Sequence, residues 1–153
     1  MRYADAVSAL ETLYAALPSM ACPGRCEQSC GVIVMTRLEW IRIRRKLGYA
    51  PKGKPSLVCP LLKKGRCSVY ALRPLICRLY GMLQDQKMRC GYGCAAERFL
   101  TEEESNALLT EVEHISAALF PNHAPAAFAQ KLTLAEISEA FARHSQEDTP
   151  HAP

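Results

Sequence analysis

The stretch Cys59-Pro-Leu-Leu-Lys-Lys-Gly-Arg-Cys67-Ser-Val-Tyr70-Ala-Leu-Arg73-Pro74-Leu-Ile-Cys77-Arg78-Leu-Tyr80 holds three cysteines in alternating turn and apolar sequence. Residues 56–70 read as two short strands around Lys63-Lys64-Gly65. With position 63 at the centre of that turn, Cys59 and Cys67 fall opposite each other across a hairpin. Pro74 then suits the first turn of a short helix that carries Cys77 and Arg78. A fold built around this segment ties a hairpin to the following helix through cysteine side chains.

The flanking sequence adds five more cysteines. Cys22, Cys26 and Cys30 form C-x3-C-x3-C, and Cys90 with Cys94 forms C-x3-C, so eight cysteines lie between positions 22 and 94 of a 153-residue chain. This is not the C-x2-C pairing of an ordinary zinc ribbon. Cysteines four apart can converge from one helical face or from a tight loop, and Pro23, Gly24, Gly91 and Gly93 favour the loop. No apolar run reaches the ~18–20 residues of a membrane span, and Asp5 and Glu11 interrupt the region where a secretory signal needs an apolar core. A cytoplasmic protein without a membrane segment is the expectation. Thiols stay reduced there, which makes a metal site a better reading than a disulfide framework. Soft thiolates select zinc, Cu(I) or iron–sulfur clusters.

Helices are expected on both sides of the cysteine region. Tyr3, Val7, Leu10, Tyr14 and Leu17 recur at helical spacing before Pro18. Thr36 and Glu39 form a capping box ahead of the stripe Trp40, Ile43 and Leu47, with Gly48 as the stop. Thr101 with Glu104 and Thr133 with Glu136 open two further helices, whose stripes are Leu108, Val112, Ile115, Leu119 and Leu134, Ile137, Phe141. These stripes should pack against the N-terminal helix as a layer beside the metal-bound part, or else dock a protein partner. The fold class expected is mainly α: a small cysteine-rich, metal-bound domain with irregular loops and one short β-hairpin. One domain spans residues 1–144, with its metal-binding part at about 20–97 and a helical part at 101–144. Residues 145–153 hold no large apolar side chain and read as a disordered tail.

Charge follows the same division. The net charge is +4, but residues 22–98 hold sixteen Lys and Arg against four acids, and residues 99–153 hold two against nine. Basic side chains around the cysteines would offset anionic thiolate centres; two zinc ions on eight thiolates carry about −4. The rival reading is a zinc-stabilised nucleic-acid-binding module using Arg42, Arg44, Arg45, Lys46, Lys52, Lys54, Lys63 and Lys64. It is weakened by the acidic C-terminal third and by the lack of an exposed aromatic series.

The central stretch resembles the signature of the YkgJ-type cysteine-cluster family, a zinc- or iron-chelating domain. That signature reads C-P-x-L, G-x-C-x-x-Y, then R-P-x-x-C-R with an aromatic residue nearby. Cys22, Cys26 and Cys30 followed by Thr36 and Glu39 look like the family's first cluster and the helix after it. The likeness covers about residues 20–95. It departs where the family often has adjacent cysteines, since Gly31 follows Cys30, which leaves Cys90 or Cys94 to fill that place. The resemblance implies chelation by Cys22, Cys26, Cys30, Cys59, Cys67, Cys77, Cys90 and Cys94. Some relatives belong to larger flagellin-lysine methylating proteins, which favours an iron–sulfur cluster ahead of zinc.

Arg73 and Arg78 bracket Cys77, where they could donate to cluster sulfurs or to backbone carbonyls. Tyr70 and Tyr80 read as core packing. His114, His123, His144 and His151 fall at surface, loop or tail positions. No Ser-His-Asp or Cys-His-Asn grouping and no Gly-rich nucleotide loop stands out, so catalysis has no visible constellation. The partners expected are a metal ion or cluster and a protein, with nucleic acid as the alternative.

Overall fold

A computed structural model describes residues 1–25, 27–31, 33–52, 58–122 and 126–127. In chain order the elements are α1 (Tyr3–Ala15), β1 (Val34–Met35), α2 (Arg37–Leu47), β2 (Leu62–Lys63), β3 (Arg66–Cys67), α3 (Leu75–Leu79), α4 (Glu102–Ala117) and β4 (Ala126–Ala127), with single 3-10 turns at Glu27–Ser29, Tyr70–Leu72 and Gln86–Met88. Helices therefore carry most of the regular structure. The helix expected after Thr133, with Leu134, Ile137 and Phe141, and the tail at 145–153 lie outside the described residues.

Both testable capping boxes form. The Thr36 hydroxyl accepts from the Glu39 N–H while the Glu39 carboxylate accepts from the Thr36 N–H, and Thr101 and Glu104 repeat the exchange at α4. Each satisfies donors that a helix start would leave orphaned. Gly48 closes α2 at φ 74, where an L side chain is strained, and its N–H donates to the Arg44 carbonyl.

Two apolar cores result. The first joins Ala6 and Leu10 of α1, Leu38 of α2, Leu75 and Leu79 of α3, and Val112 and Ile115 of α4, with Met82 and Leu100. Thus α1 packs on α4 as expected, and α3 completes the layer. The second core holds Met35, Ile43, Cys59, Leu61 and Val69, with Trp40, Leu47 and Cys67 packed against it. Helix α2 lies between them, giving Leu38 to one and Ile43 to the other.

Two details differ from the sequence reading. The hairpin pairs Leu62 with Cys67 and Lys63 with Arg66, so Cys67 faces Leu62 and not Cys59. The turn sits on Lys64 (φ 50) and Gly65 (φ 74). Positive φ at both central residues gives the two-residue turn whose twist matches paired strands, which moves the centre past position 63. A second antiparallel pair was also unforeseen: β1 meets β4, Val34 opposite Ala127 and Met35 opposite Ala126. Two-residue strands show too little alternation to be read from sequence.

Candidate metal centre

The four cysteines 30, 59, 67 and 77 come together from separate parts of the chain. The Cys59 N–H donates to the Cys30 carbonyl at 3.0 Å, which stitches the loop before β1 to the entrance of the hairpin. Cys59 is 6% exposed. Cys67 ends the hairpin, and its neighbour Ser68 donates to the Leu61 carbonyl at 2.9 Å. Cys77 stands in α3, its N–H on the Pro74 carbonyl at 3.0 Å. A cavity of about 230 Å³ opens beside them, walled by Cys30, Cys67 and Cys77 with Ile33, Ile76 and Tyr80, and Cys59 lies in the apolar core.

The electrostatics of Cys77 record this grouping. Its thiol is pushed up to about 12, first by burial and then by the charges that Cys59, Cys67 and Cys30 would carry, while Arg73 acts in the opposite sense. Were all four ionised they would repel one another, and a soft cation among them would remove that cost. By residue type alone, cysteine sulfurs suit zinc or an iron–sulfur cluster. Among the described residues, no group of three or more His, Cys, Asp or Glu side chains stands where it could hold a metal ion. No disulfide joins any two of the seven described cysteines.

Cys22, Cys90 and Cys94 make a separate group. The Cys94 thiol is pushed up to about 11, chiefly by Cys90, then by burial and by the charges that Cys90 and Cys22 would carry. For Cys90, burial works upward, but the N–H groups of Tyr92 and Cys94 and the Cys94 thiol outweigh it and leave the group below its ordinary value. Gly24 donates its N–H to the Cys22 sulfur at 3.4 Å. Cys26 lies outside the described residues. Cys22 and Cys30 belong to one C-x3-C-x3-C run, yet Cys30 is bonded to Cys59 and Cys22 is not.

Arg73 and Arg78 turn to the backbone. Arg78 donates from Nε to the Arg73 carbonyl at 2.8 Å and from a terminal nitrogen to the Ala71 carbonyl at 2.7 Å, and its guanidinium lies 4.2 Å from the Tyr14 ring centre. Arg73 donates to the Tyr70 carbonyl at 3.1 Å and covers the Tyr70 ring at 3.6 Å. Of the two alternatives for these arginines, carbonyl pinning of the loop is the one formed. Tyr80 accepts from the Ser29 hydroxyl at 2.8 Å, linking α3 to the loop before Cys30, and Tyr70 is 38% exposed, so it is only partly packed.

Glu39 is the supporting residue that the capping signal understated. It is 3% exposed. One carboxylate oxygen accepts from the Thr36 N–H at 2.8 Å and its hydroxyl at 2.9 Å; the other accepts from the Leu75 N–H at 2.7 Å and from the Tyr14 hydroxyl. One side chain thus fixes α1, the start of α2 and the start of α3, two residues before Cys77. The charged residue two places inside α2 was legible as a cap, while its long-range partners left no local pattern.

Comparison with models of known protein families finds no match, and comparisons with curated proteins and with solved structures find none either. Among the described residues, no helix is long and apolar enough to cross a membrane.

Proposed function

We propose that this chain is a thiolate metal-binding protein whose centre is held by Cys30, Cys59, Cys67 and Cys77, with an iron–sulfur cluster preferred and zinc as the other occupant. The observation that carries the reading is the convergence of cysteines remote in sequence: Cys59 is bonded through its N–H to the Cys30 carbonyl, and Cys30, Cys67 and Cys77 wall one cavity. An iron–sulfur cluster bound there would supply one-electron chemistry, and zinc would supply a cross-link. The chain's own part is to hold the sulfurs: Cys30 and Cys59 by their backbone bond, Cys67 at the hairpin end, Cys77 in the middle of α3. Arg73 eases the accumulation of negative charge, and Arg78 keeps the loop before α3 in shape. The resemblance of residues 59–80 to the YkgJ-type family supports the same chemistry. A role as an electron carrier, or as an accessory to a partner enzyme, would follow from a redox-active occupant.

The nucleic-acid alternative has less support. Arg42 is ion-paired with Glu11 at 2.7 Å, Arg45 covers the Tyr3 ring at 3.8 Å and Lys63 donates to the Tyr49 hydroxyl at 3.1 Å, so part of the basic set is engaged within the chain.

The test is anaerobic purification with iron, labile-sulfide and zinc analysis and a visible spectrum. Iron with sulfide, or stoichiometric zinc, is expected, and C59S, C67S and C77S should each release it. A metal-free protein, or full occupancy in all three variants, refutes the reading. Salt-dependent binding of mixed DNA or RNA would favour the alternative.

A further inference from the structure

Away from the cysteines, the start of α2 and the end of α4 border a cavity of about 190 Å³. Its charged groups are Arg37, the first residue of α2, and Glu113 of α4; Ser116 adds a hydroxyl, and Ala117, Phe120 and Pro121 give it apolar walls. Among the described residues, no ion pair takes up either charge, and the Arg37 Nε is buried without an acceptor. A buried donor left in this state is costly, and it is the kind of group that a bound ion or small molecule completes. We propose that this cavity binds a small amino-carboxylate, with its carboxylate end against Arg37 and its ammonium end toward Glu113.

The start of α2 is prepared for the carboxylate. The first N–H groups of a helix have no acceptor within it. Here the Thr36 hydroxyl takes the Glu39 N–H, and Ser116 Oγ takes the Leu38 N–H at 3.1 Å. The Arg37 N–H is thereby left without an acceptor among the described residues, beside its own guanidinium. Ser116 is 6% exposed, and because its oxygen accepts from Leu38, its proton is free to be donated to a ligand oxygen. A carboxylate in the cavity therefore meets a guanidinium, a hydroxyl and the positive end of the α2 dipole, each of which is stronger toward an anion than toward a neutral group.

Glu113 decides what the other end carries. It attracts an ammonium group and repels a second negative charge, so a dicarboxylate or a phosphate fits the cavity less well. The apolar walls suit a short methylene body between the two charged ends. None of these residues belongs to the thiolate centre, so the two proposals stand or fall separately.

The isotope-labelled, full-length protein is titrated with γ-aminobutyrate, butyrate and succinate, against sodium chloride at matched ionic strength, and amide chemical shifts are followed. Saturable shifts are expected at Arg37, Leu38 and Ser116. γ-Aminobutyrate should bind about threefold more tightly than butyrate, and succinate most weakly. R37Q should weaken γ-aminobutyrate by about tenfold or more, and E113Q should remove the preference for γ-aminobutyrate over butyrate, with unmoved α1 amides showing that each variant is folded. Should R37Q not fold, E113Q decides: loss of the preference supports the site, and its retention overturns it. The proposal is also overturned by the absence of saturation up to about 10 mM, by equal shifts with chloride alone, or by undiminished binding in a folded R37Q.

Discussion

Replacing Glu39 by Gln tests the link between the helical frame and the cysteine centre, because the change keeps shape and volume and alters only charge and one acceptor. Each Glu39 oxygen accepts from one backbone N–H and one hydroxyl: Thr36 N and Thr36 Oγ1 on one side, Leu75 N and Tyr14 Oη on the other. A hydroxyl can rotate to accept from the new NH2 group, but a backbone N–H cannot. Whichever way the amide faces, either the Thr36 or the Leu75 N–H is left buried against another donor, at a cost of about 1–3 kcal/mol. The remaining bonds drop from charge-assisted to neutral strength, about 1 kcal/mol more. The total of about 3 kcal/mol is a large share of the 5–15 kcal/mol that holds a domain of this kind.

Urea unfolding followed by circular dichroism should therefore show a midpoint lowered by about 1–2 M, for slopes of about 2 kcal/mol per M. A metal bound as proposed should also leave E39Q sooner in a chelator challenge, because the Leu75 bond sets the start of α3 just ahead of Cys77. Glu104→Gln is the matched control. It makes the same capping exchange at α4 with Glu104 partly exposed, so water can serve the orphaned donor and the loss should be clearly smaller. A midpoint for E39Q within about 0.3 M of the parent, or an equal loss in both variants, would refute the assignment of Glu39 as the joint between the three helices.

Tyr14 holds its proton well above the ordinary value of 10.0, through burial first and then the neighbouring Glu39. The folded state keeps a proton that the unfolded chain gives up above pH ~10, so stability is intact below that pH and falls above it by up to ~1.4 kcal/mol per pH unit. Tyr14→Phe should flatten this fall relative to the parent in denaturation curves taken between pH 9 and 11, and an identical slope would count against it. Gly48→Ala, with no atom within 4 Å of the new methyl group, should lower stability by the left-handed backbone strain alone, about 1–2 kcal/mol. Gly81→Ala combines φ 85 with a contact of 3.2 Å to the Met20 sulfur and 3.5 Å to the Cys90 Cβ, so it should cost more and disturb alkylation of Cys90; equal costs at both glycines would contradict this packing. Ending the chain after Glu97 removes Leu100, Val112 and Ile115 from the first core, at about 1.5–3 kcal/mol for each large side chain. An insoluble or metal-free product is expected, and a soluble, fully metallated monomer would show α4 to be dispensable.

Local signals carried most of the secondary structure. Thr36 with Glu39, Thr101 with Glu104, the Gly48 stop and the stripe from Tyr3 to Leu17 each act within one or two helical turns, where the chemistry of neighbouring residues alone decides the outcome. The density of cysteines, and their place inside the basic segment, likewise follow from residue identity and order. The hairpin existed in the sequence, but its register did not. Positive φ at both Lys64 and Gly65 moved the turn by more than a residue and set Leu62, not Cys59, opposite Cys67.

Grouping was decided only by tertiary structure. Cys22 and Cys30 belong to one evenly spaced run, yet Cys30 is bonded through its carbonyl to Cys59 and Cys22 is not, because the segment around Ser19 and Met20 is hydrogen-bonded to residues 96–97 and pulled away. Glu39 was legible as a helix cap by its three-residue spacing to Thr36. That it also anchors Leu75 and Tyr14, 36 and 25 positions distant, depends on which helices pack together, and contacts between remote segments leave no periodic trace in a single chain. Sequence thus determined which groups were available and which elements would form, and the packing of α1, α2, α3 and α4 determined which sulfurs stand as neighbours.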